Sequence, residues 1–307
     1  MAAGAVSGHH EGTMDRIVDA HHHIWRQRDL PWLMGPMQPR IFGPYEPIRR
    51  DYGIEEYLGD IEGSGVAQSI YVQANWAPAR AVDEVAWVQA EAERSGYPHA
   101  IVGYADLRDP DVGAVLEAQS RYPLLRGIRM QLHWHENEQY RFADGPAVMN
   151  DAALRRGVGL LADHGLVFEL QVFTAQMADG AAFAAAFPDV PMVLAHCGMP
   201  EDLTPGGWQA WREGMERLAA VPSVSVKLSG LGTFIHRVDQ AHIERTVRET
   251  VALFGPERCL WGSNFPIEKL WTDYASLIGA YRNVLAHLSE ADRAQIFAGT
   301  AQRLYRL

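Results

Sequence analysis

The sequence predicts a single (β/α)8 barrel, and three observations carry that expectation. Short β-branched apolar runs alternate with longer helical patterns, the signature of βαβ units around a parallel sheet. Eight such runs can be marked out, the number a closed barrel needs. The chain has 307 residues, which suits one barrel of about 250 residues with insertions.

The strand segments are 16–20, 68–73, 100–105, 127–132, 166–172, 192–196, 223–229 and 259–263. Between them, 83–95, 147–164, 175–187, 207–220, 241–254 and 272–288 carry apolar residues at spacings of three and four and are expected to be helical. Gly63-Ser64-Gly65, His164-Gly165, Phe187-Pro188-Asp189 and Phe254-Gly255-Pro256 close units with turn chemistry. Ser289-Glu290-Ala291-Asp292 reads as the N-cap of a last helix. The stretch 26–52, rich in Pro, Gly and Arg, follows the first strand. It should overhang the barrel mouth as a lid or pocket wall.

Composition narrows the function. The formal net charge of -11 argues against nucleic acid as a partner, and no apolar run has spanning length. With only Cys197 and Cys259, disulfides are not the design and a reducing cytoplasm fits best. Residues 1–14 read as a flexible tail ahead of a barrel over 15–307. The start, small and polar, lacks the basic and apolar regions of a signal peptide. His9 and His10 are read as solvated tail residues. The expected partner is a small molecule, and a homodimer is compatible with this reading.

Three strand ends carry candidate chemistry. In Asp19-Ala20-His21-His22-His23, alternation places His21 and His23 on one face, where two imidazoles can chelate one metal ion, and His22 on the other as a structural residue. In Leu194-Ala195-His196-Cys197-Gly198, alternation groups His196 with Met192 and Leu194. Convergence of strand ends on one rim would let His196 meet His21 and His23. Cys197 falls on the opposite face and is not read as a nucleophile. The third end is Trp261-Gly262-Ser263-Asn264-Phe265-Pro266.

Other polar residues refine the interior. On strand seven Ser225, Lys227 and Ser229 should face inward, with Val224, Val226 and Leu228 toward the helices. Glu169 and Gln171 share a face of strand five, and a Glu169–Lys227 contact would offset the cost of an inward lysine. Arg129, Gln131 and His133 share a face of strand four, where Arg129 can fork onto a substrate carboxylate; Arg126 reads as a strand-edge residue. His133 or His135 should reach the site, and Trp25, Trp32 and Trp76 either line an aromatic pocket or pack the barrel.

Taken in order, Asp-x-His-x-His, His-x-Gly and a motif similar to Gly-Ser-Asp-(Phe/Trp)-Pro resemble the amidohydrolase superfamily. They are closest to its amidohydrolase-related branch, with 2-pyrone-4,6-dicarboxylate lactonase and sugar-lactone hydrolases. Val226-Lys227-Leu228-Ser229-Gly230 and Gly127-Ile128-Arg129 are also similar to that branch. The resemblance implies water attack on a lactone carbonyl of an acidic or sugar-derived molecule. His21, His23 and His196 would hold a divalent metal, zinc first, although some relatives work metal-free. His196 would polarise the carbonyl, and Arg129, Lys227, Gln171, His135 and Trp76 would bind substrate.

The chain departs from the family at Asn264, where the resemblance expects the aspartate that serves as general base. A carboxamide cannot take a proton near neutral pH. His133, His135 and Glu169 are substitute bases; a metal could instead lower the pKa of water; or the chemistry differs. The rival readings are a metal-dependent decarboxylase and a non-catalytic binding protein.

Overall fold

Eight strands form where the β-branched runs stand: β1 Ile17–His22, β2 Val66–Val72, β3 Ala100–Gly103, β4 Leu125–Ile128, β5 Val167–Leu170, β6 Met192–Leu194, β7 Val224–Leu228 and β8 Cys259–Trp261. The computed structural model describes residues 16–307; His9, His10 and the rest of the N-terminal stretch lie outside the described residues. The strands run side by side in chain order, each pair parallel. A parallel bridge between His22 and Phe265 joins the two ends. There the His23 N–H donates to Phe265 O at 2.8 Å and the Asn264 N–H to His21 O at 2.7 Å. This is a (β/α)8 barrel.

Parallel neighbours require long crossovers, and a helix fills each one. Six helices, five of them in crossovers and one after β8, match the periodic segments with ends shifted by up to five residues. Residues 147–164 start their helix at Ala152, because the Asp151 side chain caps it by accepting from the N–H groups of Ala153 and Leu154. Residues 175–187 reduce to Met177–Ala185 behind a short turn. Two helices were not anticipated, Ile54–Asp60 and Val112–Ser120; each is too short to display a full periodic stripe. Ser289 caps the last helix as expected, accepting from Asp292 N–H.

Inside the barrel Val18, Ala20, Val72, Val102, Val193 and Leu260 meet Ala298, Ala301 and Tyr305 from the C-terminal helical segment. That segment stoppers the end opposite the strand C-termini. Val224, Val226 and Leu228 join the larger core beneath the helices, so Lys227 faces in. Its Nζ lies 2.5 Å from Glu169 Oε1, both side chains are fully buried, and Tyr305 OH donates to the same oxygen at 2.7 Å. The expected contact exists, but it is sealed within the barrel. Neither residue lines the mouth cavity, so Glu169 as substitute base and Lys227 as substrate contact are both corrected: each already spends its charge on the other.

Lys227→Met should therefore destabilise the fold by about 3–5 kcal/mol, by stranding a buried carboxylate, whereas the double variant Glu169→Leu/Lys227→Met should recover most of that loss. Urea unfolding of the three proteins checks this.

Candidate active site

Three imidazoles meet at the rim. The His21 ring centroid lies 5.1 Å from that of His23 and 4.7 Å from that of His196. Regular alternation alone would not achieve this. Val18 and Ala20 face the barrel interior, so an unbroken strand would turn His22 inward. The register against β2 shifts between Asp19 and His22. This irregularity reverses the parity and aims His21 and His23 inward. His22 instead stacks on Tyr57 at 3.9 Å and shares a hydrogen bond of 3.0 Å with Ser69.

His196 also needs a backbone device. Met192 and Leu194, its partners by alternation, pack against the helices. β6 stops at Leu194, and His196 and Cys197 take left-handed φ values of 53° and 50°, so the turn and not the strand brings the ring to the mouth. Gly230 makes room: a Cβ there would lie 2.4 Å from His196 Nδ1, and its φ is +63°. Gly262 does the same for His21, with a Cβ 2.7 Å from the His21 Cβ. Cys197 lies in the core, its thiol pushed up to about 12 by burial.

Asp19 ties these ends together. Fully buried, it accepts from the N–H groups of His21 (3.1 Å) and Ser263 (2.8 Å) and from the hydroxyls of Ser263 (2.6 Å), Tyr274 (2.9 Å) and Tyr57 (3.0 Å).

A cavity of about 370 Å³ opens beside the rings, lined by His23, Arg129, Gln131, His133, Gln171, His196 and Asn264, by Trp25, Trp32 and Trp76, and by Arg40, Phe42 and Arg141. The long 26–52 segment is thus one of its walls, anchored by paired backbone hydrogen bonds between Trp25 and Tyr52 of 2.8 and 3.0 Å. His135 does not line the cavity. It packs on Tyr140, which does line the cavity, and on Phe173, with Glu201 4.0 Å away.

The electrostatics are one-sided. Among the described residues no Asp or Glu lines the cavity, while Arg40, Arg129 and Arg141 do. Arg129 is buried; its Nη2 donates to Gln73 O at 2.6 Å, its Nε has no partner, and among the described residues no carboxylate lies within ion-pair distance, although Glu169 and Glu84 favour its charge from farther away. Burial and then the Arg129 charge hold His23, His133 and His196 down at about 3. Burial and Lys227 hold His21 well below its ordinary value. All four are neutral at pH 7. His23 Nδ1 is 2.6 Å from Val72 O, and a carbonyl only accepts, so Nδ1 carries the proton and Nε2 keeps its lone pair.

These neutral nitrogens suit a divalent ion. The two partnerless ring nitrogens of His21 are what an absent ligand would satisfy. As the side chains stand, no group of three or more His, Cys, Asp or Glu among the described residues is arranged to hold an ion; the rings of His21 and His23 are nearly perpendicular, at 85°. The donor chemistry fits, the enclosure is incomplete, and Asn264 brings no charge to it.

One acid at the strand-eight end was missed. Glu268, four residues beyond Asn264, is buried, and its N–H donates to Asn264 O at 3.2 Å. Its signal was a lone acid in the apolar run Phe265-Pro266-Ile267-Glu268.

The family model for Amidohydrolase matches residues 18–307. The chain belongs to the amidohydrolase family. It is 34% identical over 293 residues to the uncharacterized protein y4mH of Sinorhizobium fredii, covering 95% of this chain and 98% of that one. It is 33% identical over 305 residues to an L-fucono-1,5-lactonase of Burkholderia multivorans, covering 94% and 96%. A crystal structure of an amidohydrolase from Burkholderia multivorans with bound zinc superposes with a TM-score of 0.80 at 32% identity, covering 95% and 99%. No helix among the described residues is long and apolar enough to cross a membrane.

The depressed imidazoles have a measurable consequence. The unfolded chain protonates its histidines near 6.5 while folded His133 resists down to about 3. Stability present above pH 6.5 is therefore lost as pH falls toward 3. In urea unfolding, His133→Gln should show a shallower acid decline, by about 1.4 kcal/mol per pH unit within that window.

Proposed function

We propose that this amidohydrolase opens the ring of a lactone that carries a carboxylate. The observation that carries the reading is Arg129, a buried guanidinium facing a cavity without acidic residues. A buried charge without a partner is costly, and a substrate carboxylate is the group that relieves it, through the paired hydrogen bonds that guanidinium offers. The tryptophans match an apolar ring face. The relatives named L-fucono-1,5-lactonase support ring-ester hydrolysis.

Binding and chemistry are coupled. His23, His133 and His196 lose basicity first to burial and then to the Arg129 charge. A carboxylate seated on Arg129 offsets the second of these and returns part of the proton affinity to the imidazoles when substrate is present. His133, which lines the cavity, takes the proton as water attacks the carbonyl carbon. The ring C–O bond then breaks, and the proton passes to the departing alkoxide, giving the hydroxy acid. His196 and the Asn264 amide face the carbonyl side, and Gln171 and Trp76 bound the ring. A divalent ion held by His21, His23 and His196 supplies electrophilic stabilisation of the carbonyl oxygen when bound.

The test is a panel of carboxylated and neutral sugar lactones, assayed before and after dialysis against chelator with metal content measured. Carboxylated lactones should be preferred, and Arg129→Gln should raise their KM by about 10- to 100-fold with little change for neutral ones. A best substrate that is a neutral sugar lactone, indifferent to Arg129→Gln, would overturn the anionic class; release of CO2 without a ring-opened acid would replace hydrolysis with decarboxylation.

A further inference from the structure

β2 ends at Val72, and the trans peptide between Gln73 and Ala74 just beyond it is held from both sides. Glu84 is buried in the first turn of the helix Ala81–Ser95, and its Oε1 accepts from the Ala74 N–H at 2.7 Å. The same oxygen accepts from the Tyr71 hydroxyl at 2.7 Å, while Oε2 has no hydrogen-bond partner. On the other side of the peptide, Gln73 O accepts from Arg129 Nη2 at 2.6 Å. The flanking carbonyls are taken as well, Val72 O by His23 Nδ1 at 2.6 Å and Ala74 O by Trp32 Nε1 at 3.0 Å. His23, Trp32 and Arg129 all line the cavity, and Glu84 does not.

A peptide unit is a rigid plane, and in the trans form its N–H and C=O point in opposite directions. Whatever fixes the Ala74 N–H therefore fixes the direction of the Gln73 carbonyl. Among the described residues that carbonyl is the one hydrogen-bond partner of the Arg129 guanidinium. We infer that Glu84 is the positioning residue of Arg129, acting through the Gln73–Ala74 peptide to aim the guanidinium fork at a bound carboxylate. An acceptor behind the N–H and a cation before the carbonyl polarise the peptide in the same sense, which strengthens both bonds. Burial pushes the Glu84 carboxyl up to about 7, but Oε1 keeps lone pairs for both donors in either protonation state. Reach, and not charge, is what positions the peptide. The clamp stands on this geometry; its use in selecting a carboxylated lactone rests on the lactonase reading.

Two substitutions separate reach from charge. Glu84→Asp keeps the charge and withdraws the oxygen from the Ala74 N–H, whereas Glu84→Gln keeps the oxygen and removes the charge. In 15N-arginine-labelled protein the Arg129 side-chain NMR signals are identified by their loss in Arg129→Gln. They should move and broaden in Glu84→Asp and stay close to their wild-type positions in Glu84→Gln. For carboxylated lactones Glu84→Asp should raise KM by about 3- to 10-fold with kcat little changed, and Glu84→Gln should not. In an Arg129→Gln background Glu84→Asp should add nothing to KM. Arg129 signals unmoved in Glu84→Asp, or moved equally in both variants, overturn the proposal. If Glu84→Asp does not fold, hydrogen exchange in the wild type decides: the Ala74 amide should exchange slowly, and one that exchanges as a free amide overturns the clamp. The expected signal pattern in a protein that turns over no lactone would sink the lactonase reading and leave the clamp standing. A preference for carboxylated lactones with Arg129 signals unmoved would do the reverse.

Discussion

The Asp19 carboxylate is the constraint on which the site depends. It gathers five donors from the first strand, the eighth strand end and two helices, in a place water does not reach. A buried carboxylate is stable only when its lone pairs are taken, so those five groups must converge. Because Ser263 supplies two of the bonds and His21 a third, the convergence fixes the seam where β1 and β8 meet. His21 and Asn264 reach the rim through that seam, and Gly262 lets the two backbones approach.

Around this seam the protein separates its charges. Acids are kept out of the cavity wall among the described residues: Glu169 is bound to Lys227, and Glu268 is buried beside Trp271. Among the described residues Arg129 on the wall has no carboxylate within ion-pair distance, and Glu169 and Glu84 act on it only from farther away. The imidazoles between them stay neutral because burial and that arginine make a further positive charge costly. Such a site offers neutral imidazole lone pairs beside a buried guanidinium, which is the pairing on which the proposed substrate class rests.

The barrel was legible because strand and helix periodicities differ and because each of eight β-branched runs is long enough to register. The two short helices were not, since seven and nine residues leave too few turns to display a stripe. Among the site residues, Arg129, Gln131 and His133 were readable from parity alone, because β4 and the segment after it carry them to one face. His196 reached the expected place by an unexpected route, through a left-handed turn that alternation does not describe. Glu169 is taken out of reach of the cavity by partners distant in sequence, Lys227 and Tyr305.

The sequence by itself determined which groups could do chemistry and roughly where along the barrel they stand, since residue identity and strand periodicity are local properties. It also determined that an asparagine, Asn264, stands where the resemblance expects an aspartate, which is a matter of one letter. Only the tertiary structure decided which of those groups are available. Whether a lysine faces a ligand or a buried glutamate and whether an arginine has a carboxylate to pair with depend on atoms brought together from distant parts of the chain. Periodicity orients a side chain, but packing and the cost of unpaired buried charge decide what it meets.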